Sequence, residues 1–206
     1  MSTTTTFHET GIRGLRASVP QTLPFAPDIA VRAFLLERTD GDLLLFSNGL
    51  LGRVPGVERQ YLTHWHEAMF GVAEGPSFVH HLAERPHVDG EMFAGAFTLG
   101  DDFEAIPIPG HTPGSTAYRW DTGDQRLLFT GDSLYLRDGR WVAAVLDSSD
   151  RASYVASLER LRDVEFDVLV PWAASADGPL LDAVDAATRR ARLDAILDRV
   201  RAGEDA

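Results

Sequence analysis

The sequence predicts an α/β domain in which short strands come first and helices follow. Three pairs of short apolar stretches are each joined by a turn that contains glycine, which is typical of β-hairpins. Two later segments carry apolar residues at helical spacing. Because strands and helices are mixed along one chain of 206 residues, we expect a layered α/β domain.

The strand predictions rest on short apolar runs and their turns. The first hairpin turns through Asp40-Gly41, and Asp-Gly between apolar runs is a strong hairpin signal. Another strand is predicted at residues 59–63. The three hairpins join residues 32–38 to 42–47, 95–99 to 102–108 and 115–120 to 125–130.

The second half of the chain changes its apolar period. Residues 151–162 have helical spacing and follow a group of Asp and Ser residues that can cap a helix. Residues 166–170 alternate like a strand and stop at Pro171. Near the end, residues 193–200 follow the i, i+3, i+4, i+7 pattern of an amphipathic helix, which Gly203 closes.

The domain organisation follows from length and from the first residues. The Thr-rich start has neither a basic region nor an apolar segment after it, so we interpret residues 1–10 as a disordered N-terminal tail. We expect residues 11–206 to form a single domain that ends in the amphipathic helix. A chain of this length can bury a large core without the help of disulfides.

The charge and the apolar content of the chain limit the kinds of partner that it is expected to bind. The chain has 19 basic and 31 acidic residues and a net charge of −12, which argues against nucleic acid or an anionic membrane as a partner. No apolar run reaches the ~18–20 residues that span a bilayer. We therefore expect a cytoplasmic protein that acts on a small-molecule substrate, and its oligomeric state is left open.

Three short motifs contain residues that can bind a metal ion. Since there is no cysteine, the ligands of any metal must be His, Asp or Glu. Residues 63–66 (Thr-His-Trp-His) place two imidazoles two positions apart, on one side if the chain is extended. Residues 109–115 hold His111 in a rigid turn, and Asp132 follows a buried strand and Gly131. Each motif alone equally fits an ordinary loop, turn or helix cap.

Taken in order, the motifs resemble those of the metallo-β-lactamase superfamily. The family motifs are Thr-His-x-His-x-Asp-His, Pro-Gly-His-Thr-Pro-Gly-Ser and Phe-x-Gly-Asp, and the resemblance covers roughly residues 30–175. It implies a four-layer αβ/βα sandwich of two mixed β-sheets flanked by helices, with metal at one edge. It also implies that His64, His66 and His111 form the first metal position and that Asp132 matches the carboxylate that usually bridges two metals.

The chain departs from the family pattern at the second metal position. The Asp and His that should follow His66 are Ala68 and Met69, and the last histidine falls near Trp172 and Ala173. Neither alanine nor methionine replaces a carboxylate or imidazole at such a site. We therefore expect a degenerate site with one divalent metal, with zinc as the first choice and iron as the alternative.

Three functions remain open at this point. The first is a hydrolase in which one metal activates water against an ester, thioester or amide, with Asp132 as a ligand or as the group that orients water. The second is a catalytically inactive binding module with little bound metal. The third is a mononuclear iron dioxygenase, because two His and one Asp can form a facial triad for Fe(II).

Several residues within or near the three motifs are interpreted as structural or surface residues and not as metal ligands. We interpret Glu67 as a solvated side chain or a structural partner, because successive residues of an extended chain face opposite ways. His80, His81 and His87 are interpreted as surface histidines. Trp65 and Trp172 are candidates for the walls of the site.

Overall fold

Strands dominate the computed structural model, which describes residues 4–71 and 73–204. The helices are α1 (Arg151–Leu161), α2 (Ala186–Ala202) and two short 3-10 helices, Trp65–Phe70 and Leu82–Glu84. In chain order the strands are β1 (Phe7–Glu9), β2 (Leu15–Ser18), β3 (Gln21–Leu23), β4 (Ala26–Val31), β5 (Phe34–Leu36), β6 (Leu43–Leu45), β7 (Arg59–Tyr61), β8 (Ser77–His81), β9 (Glu91–Phe93), β10 (Phe97–Leu99), β11 (Phe103–Pro107), β12 (Thr116–Asp121), β13 (Arg126–Gly131), β14 (Tyr135–Arg137), β15 (Arg140–Val142), β16 (Val168–Pro171), β17 (Ala173–Ser175) and β18 (Asp182–Ala183).

These strands form three hydrogen-bonded sheets. A seven-stranded sheet has the order β1-β2-β5-β6-β7-β8-β9, and a six-stranded sheet has the order β10-β11-β12-β13-β16-β18. Both are mixed, because β6 to β9 run parallel to one another and β13 runs parallel to β16. A third sheet of five strands has the order β15-β14-β17-β4-β3.

The main core lies between the seven-stranded and the six-stranded sheet. Its centre is aromatic: Phe34, Phe46 and Phe129 are fully buried and meet edge to face at 5.9–6.1 Å between ring centroids. Strand residues alternate between this core and the opposite face, so Phe129 faces it and Leu128 faces away. Burial of each such side chain stabilises the fold by about 1.5–3 kcal/mol.

Both α-helices pack on the outer face of the six-stranded sheet. Leu158 of α1 and Leu197 of α2 contact the residues of that face, which include Leu128. Asp150 caps α1 by accepting from the backbone of residues 152 and 153, and Asp185 caps α2 in the same way. The outer face of the seven-stranded sheet is covered by the chain around Val54 and Val57 in place of an α-helix.

The structure confirms the predicted α/β sandwich with mixed sheets. The three hairpins are present as the antiparallel pairs β5–β6, β10–β11 and β12–β13. The predicted helices are α1 and α2, and Gly203 ends α2 with a left-handed φ of 78°. None of the described helices has the length and apolar character needed to cross a membrane.

The prediction of a disordered tail at residues 1–10 is wrong for the part that the structure describes. Residues 1–3 lie outside the described residues. Phe7–Glu9 form an edge strand that pairs antiparallel with β2, and Phe7 is opposite Ser18. The backbone N–H of Thr5 donates to the carbonyl of Arg53 at 2.9 Å. These hydrogen bonds order a segment whose composition alone gives no such signal.

Candidate metal centre

The structure brings the four predicted ligands together at one edge of the sandwich. One nitrogen or oxygen atom from each of His64, His66, His111 and Asp132 lies within 4.8 Å of the other three. Among the residues that the structure describes, no other group of three or more His, Asp or Glu side chains converges in this way. The four side chains named from the sequence motifs therefore lie close enough together to form one candidate metal site.

His64 and His66 reach the cluster through a change of backbone conformation. His64 follows β7 in an extended conformation, with φ −161° and ψ 166°, and the 3-10 helix of residues 65–70 starts immediately after it. His66 therefore lies in a helical turn rather than in extended chain, which corrects the expected geometry. The two rings nevertheless meet edge to face, with their centroids 5.1 Å apart.

His111 is held in the turn that follows β11. Its Nδ1 lies 2.7 Å from the carbonyl oxygen of Ala144, and since a carbonyl can only accept, Nδ1 carries the proton. Nε2 is therefore the free nitrogen, and it lies 3.1 Å from His66 Nδ1. The turn itself is fixed by the hydroxyl of Ser115, which accepts from the backbone N–H of Thr112 at 2.9 Å.

Asp132 follows β13 through a glycine that the geometry requires. Gly131 has a left-handed φ of 57°, and a β-carbon at this position would overlap the hydroxyl of Thr63. The absence of a side chain lets the strand end approach the chain that carries His64. Asp132 Oδ2 then lies 3.4 Å from His64 Nε2 and 3.9 Å from His111 Nε2.

Glu67 is a buried partner of His64. Its carboxylate has no exposed surface, lies 3.0 Å from His64 Nδ1 and accepts from the backbone N–H of Thr63 at 3.1 Å. Of the two interpretations of this residue, the structural partner is confirmed and the solvated side chain is wrong. The 3-10 helix turns Glu67 inward, and its contact with Nδ1 aims His64 Nε2 at the cluster.

Glu84 connects the two loops that carry the histidines. Only 1% of this residue is exposed. Its carboxylate accepts from the backbone N–H of Trp65 at 2.9 Å, between His64 and His66. It also accepts from the Thr112 hydroxyl at 2.9 Å and from the backbone N–H of Gly114. A β-carbon at position 114 would overlap this carboxylate, so glycine is needed there.

Burial keeps two of the three imidazoles neutral. Burial lowers the pKa of His66 to about 3, and positive charge at His64 acts in the same direction. Burial likewise lowers the pKa of His111 to about 4, again with His64 contributing. Both rings are therefore neutral near pH 7, which is the form in which imidazole binds a metal.

His64 is set apart by the carboxylates on both sides of it. Burial by itself lowers its pKa, but the carboxylates of Asp132 and Glu67 on either side raise it to about 10. Burial opposes ionisation of Asp132 as well, yet His64 holds the pKa of that carboxyl below its usual value. The geometry thus places a positive charge between the two carboxylates.

The donor set fits a divalent cation. His64 Nε2 is buried and has no hydrogen-bond partner among the described residues, although unpaired buried polar atoms are rare. A tetrahedral zinc ion with Zn–N bonds of ≈ 2.0–2.1 Å separates its ligand atoms by about 3.3 Å. The separations of 3.1 Å between His66 and His111, 3.4 Å between His64 and Asp132 and 3.9 Å between His111 and Asp132 are close to or somewhat wider than that spacing.

The cluster lies at the floor of a cavity of about 450 Å³. His66, His111 and Asp132 contribute to its lining, and most of the other lining side chains are apolar. Trp172 forms one wall, and its ring meets His64 edge to face at 5.5 Å between centroids. Trp65 does not line the cavity, because its ring stacks on His87 at 4.4 Å.

The remaining histidines do not join the cluster. His81 and His87 are partly or fully exposed, but His80 is buried, so its interpretation as a surface histidine is wrong. Residues 77–81 form the inner strand β8, which explains the burial. Sequence reasoning missed Glu84 altogether, since its partners lie about 20 and 30 positions away and no local pattern marks it.

The comparisons with known proteins agree with the geometry of the site. Residues 45–173 match the family described as the metallo-beta-lactamase superfamily. None of the curated proteins is a match to this sequence.

Solved structures share the fold at low sequence identity. A metallo-beta-lactamase from Pontibacter korlensis is 16% identical with a TM-score of 0.65, and the match covers 96% of this chain and 99% of that one. The metallo-beta-lactamase FIM-1 from Pseudomonas aeruginosa, solved in the mono-zinc form, is 14% identical with a TM-score of 0.67 and 96% coverage of both chains. A metallo-beta-lactamase family protein from Thermus thermophilus is 17% identical with a TM-score of 0.63, covering 93% of this chain and 80% of that one.

Proposed function

Because this chain belongs to the metallo-beta-lactamase superfamily, we propose that it is a metal-dependent hydrolase with a single divalent ion at its active site. His64, His66, His111 and Asp132 would hold the ion. The observation that carries the proposal is the buried Nε2 of His64, which makes no hydrogen bond to the described residues and faces the other three ligands. A nitrogen in that position is available to bind a metal ion.

Support for one ion comes from the residues at the positions where the family motif has further ligands. Met69 occupies one such position, and its thioether side chain is 71% exposed at the cavity. Trp172 lies near another, and its indole N–H donates to the carbonyl of Ser47 at 2.6 Å. Neither offers a carboxylate or an imidazole to a second ion.

Zinc is the ion that we propose first. Three imidazoles, which bind a metal in their neutral form, and one carboxylate form a donor set that suits zinc and also suits Fe(II). FIM-1 was solved in the mono-zinc form, which is a precedent for one zinc in a protein of this fold. Bound zinc would supply Lewis-acid polarisation of a carbonyl group and would lower the pKa of a water molecule.

The residues of this chain would orient the attacking water and the metal ligands, and they would exclude solvent from the cavity. Asp132 is held ionised by His64, so it can accept a hydrogen bond from an attacking water molecule. Glu67 and the carbonyl of Ala144 fix the tautomers of His64 and His111 and keep their rings in place. Trp172 and the apolar wall exclude water, which strengthens electrostatic interactions within the cavity.

We propose an ester, thioester or amide of a small molecule as the substrate. The net charge of −12 disfavours nucleic acid, because the long-range field repels its phosphates. The reaction would be attack of water on the carbonyl carbon, followed by loss of the alcohol, thiol or amine.

Hydrolysis by matched variants tests the proposal. Wild type, His64→Ala and His8→Ala are loaded with zinc and assayed against neutral esters and thioesters. His8 is an exposed histidine of β1 outside the cluster, so that variant controls for loss of an imidazole. We expect wild type and His8→Ala to hydrolyse at least one substrate, and His64→Ala to lose both metal and activity.

The other outcomes identify the alternatives. A His64→Ala variant with full metal content and an unchanged rate would contradict the proposal. Wild type that holds metal but hydrolyses nothing would favour the binding module. Bound iron with oxygen consumption would favour the dioxygenase.

A further inference from the structure

The N-terminal part of α1 holds the turn that carries His111. The backbone N–H of Asp150 donates to the carbonyl of residue 110 at 2.9 Å, and the hydroxyl of Ser149 donates to the carbonyl of His111 at 3.0 Å. Further into the helix, the Ser157 hydroxyl donates to the carbonyl of residue 109 at 2.7 Å. The three acceptors follow one another along residues 109–111, so this turn is fixed to the helix.

Tyr154 of the same helix also reaches the segment that carries Asp132. Only 2% of this residue is exposed. Its hydroxyl donates to the carbonyl of Ser133 at 2.7 Å and lies 3.5 Å from the carbonyl oxygen of Asp132. The Asp132 carbonyl accepts from the backbone N–H of Ala144 at 3.2 Å, and the Ala144 carbonyl is the group that orients His111. The phenol oxygen therefore lies where the backbone that carries Asp132 meets the residue that orients His111.

The position of Tyr154 requires a glycine in the His111 turn. Gly110 has a positive φ of 148°, and a β-carbon there would lie 2.4 Å from the α-carbon of Tyr154. Because Gly110 has no side chain, the turn packs directly on the helix. Tyr154 thus contacts the His111 turn through its backbone and the Asp132 segment through its hydroxyl.

Burial keeps the Tyr154 hydroxyl protonated. Burial first, and then the negative charge of Asp132, raise the pKa of Tyr154 well above its ordinary value. A phenol in this form has one proton to donate, and the carbonyl of Ser133 accepts it. Tyr154 is not among the residues that line the cavity above the cluster. Its effect on the site therefore passes through the backbone that it contacts.

From these contacts we infer that Tyr154 is a positioning residue of the metal centre, which sets the separation between His111 and Asp132. Glu84 joins the His111 turn to the loop that carries the other two histidines, and Tyr154 joins the same turn to Asp132. The inference rests on the proposed function for the presence of a metal ion. The orientation of His111 is a property of the chain alone, so this part of the inference can be measured without metal.

Hydrogen exchange in the metal-free protein is the first test. Tyr154→Phe keeps the ring in the core and removes only the hydroxyl, so the variant is expected to fold. NMR follows the proton on His111 Nδ1, which the Ala144 carbonyl accepts. We expect this proton to exchange with solvent about threefold to tenfold faster in Tyr154→Phe than in wild type, because the backbone that holds Ala144 has lost a hydrogen bond.

Tyr118→Phe is the matched control for this measurement. Tyr118 is also fully buried, and its hydroxyl also donates to a backbone carbonyl, that of Leu62 at 2.8 Å. Leu62 lies on the chain that leads to His64, so the His111 proton should exchange at the wild-type rate. An unchanged rate in Tyr154→Phe, or the same acceleration in both variants, would overturn the inference.

Metal binding is the second test. We expect Tyr154→Phe to bind zinc about threefold to tenfold more weakly than wild type, and the visible bands of its Co(II) form to shift with the ligand geometry. Leu161→Val shortens a buried side chain about 10 Å further along the same helix, at a similar cost in stability. It should leave the zinc affinity and the Co(II) spectrum unchanged. Equal loss of zinc affinity in both variants would show that Tyr154 serves stability alone.

The two tests separate the inference from the proposed function. If exchange is faster and zinc binding is weaker in Tyr154→Phe, both stand. If exchange is faster but wild type binds no metal, the hydrolase proposal fails and the positioning of His111 by Tyr154 remains. If wild type binds zinc and hydrolyses a substrate while Tyr154→Phe changes neither exchange nor the Co(II) spectrum, the hydrolase remains and the inference is wrong.

Discussion

Polar side chains are buried near both ends of β11, but they are hydrogen-bonded to different extents. At one end Arg38, whose side chain is 2% exposed, donates from Nε to Asp102 at 2.9 Å and from a terminal nitrogen to the carbonyl of Leu99 at 2.9 Å. The indole of Trp120 donates to the same carboxylate. At the other end His64 Nε2 is buried with no hydrogen-bond partner among the described residues.

This difference indicates which end serves structure and which serves chemistry. The Arg38 end contains its own cation, so its charges and hydrogen bonds are satisfied within the chain. The His64 end collects neutral imidazoles and carboxylates around an unpaired nitrogen. We attribute this difference to function: the Arg38 end stabilises the fold, whereas we propose that the His64 end binds a metal ion.

Among residues outside the four ligands, Glu84 gives the largest expected effect, because it joins both histidine loops. Glu84→Gln replaces one accepting oxygen with an amide nitrogen that faces N–H donors of Trp65 or Gly114. We expect zinc affinity to fall about 10–100-fold, as for other groups that support metal ligands. Competition with a chromophoric chelator measures the affinity, and the visible spectrum of the Co(II)-loaded protein reports the altered ligand geometry.

A variant at the Arg38 end of β11 tests whether Glu84→Gln acts on metal binding or only on stability. Asp102→Asn leaves the buried guanidinium of Arg38 without its charged partner. We expect it to lower the free energy of unfolding by about 1–3 kcal/mol and to leave zinc affinity unchanged. If Asp102→Asn weakens zinc binding as much as Glu84→Gln does, the two ends are not independent and the comparison fails.

Acid pH has the smallest expected effect, and the quantity that it changes is the free energy of unfolding. At the Arg38 end, the direction of this change follows from the pKa of Asp102. The hydrogen bond from Arg38 lowers the pKa of Asp102 in the folded protein, although burial opposes this. The carboxylate therefore contributes stability that is complete above its unfolded pKa of about 3.9 and is lost as pH falls through the lower folded value. Urea unfolding at pH 6 and pH 3 should show this loss in wild type and a smaller loss in Asp102→Asn.

The sequence predicts those parts of the site that lie in contiguous motifs. His111 and Asp132 are predicted as ligands because the contiguous motifs that contain them resemble, in order, those of the metallo-β-lactamase superfamily. The three hairpins and both helices are predicted from local patterns, since turn residues and caps act within a few positions.

Features that depend on contacts across the fold are not predicted. Glu84 has no local signal, because its role comes from two loops that only the folded chain brings to it. Glu67 is misjudged because an extended chain is assumed where the chain forms a 3-10 helix. The edge strand at Phe7–Glu9 depends on pairing with β2, which a polar start does not reveal.

Elemental analysis of the protein purified without added metal or chelator would distinguish a single-metal site from the alternatives. We expect about one zinc per chain, bound by the four residues of the cluster. The matched measurement on His64→Ala should give none. Two zinc ions per chain in wild type, or none even after dialysis against zinc, would contradict the single-metal site.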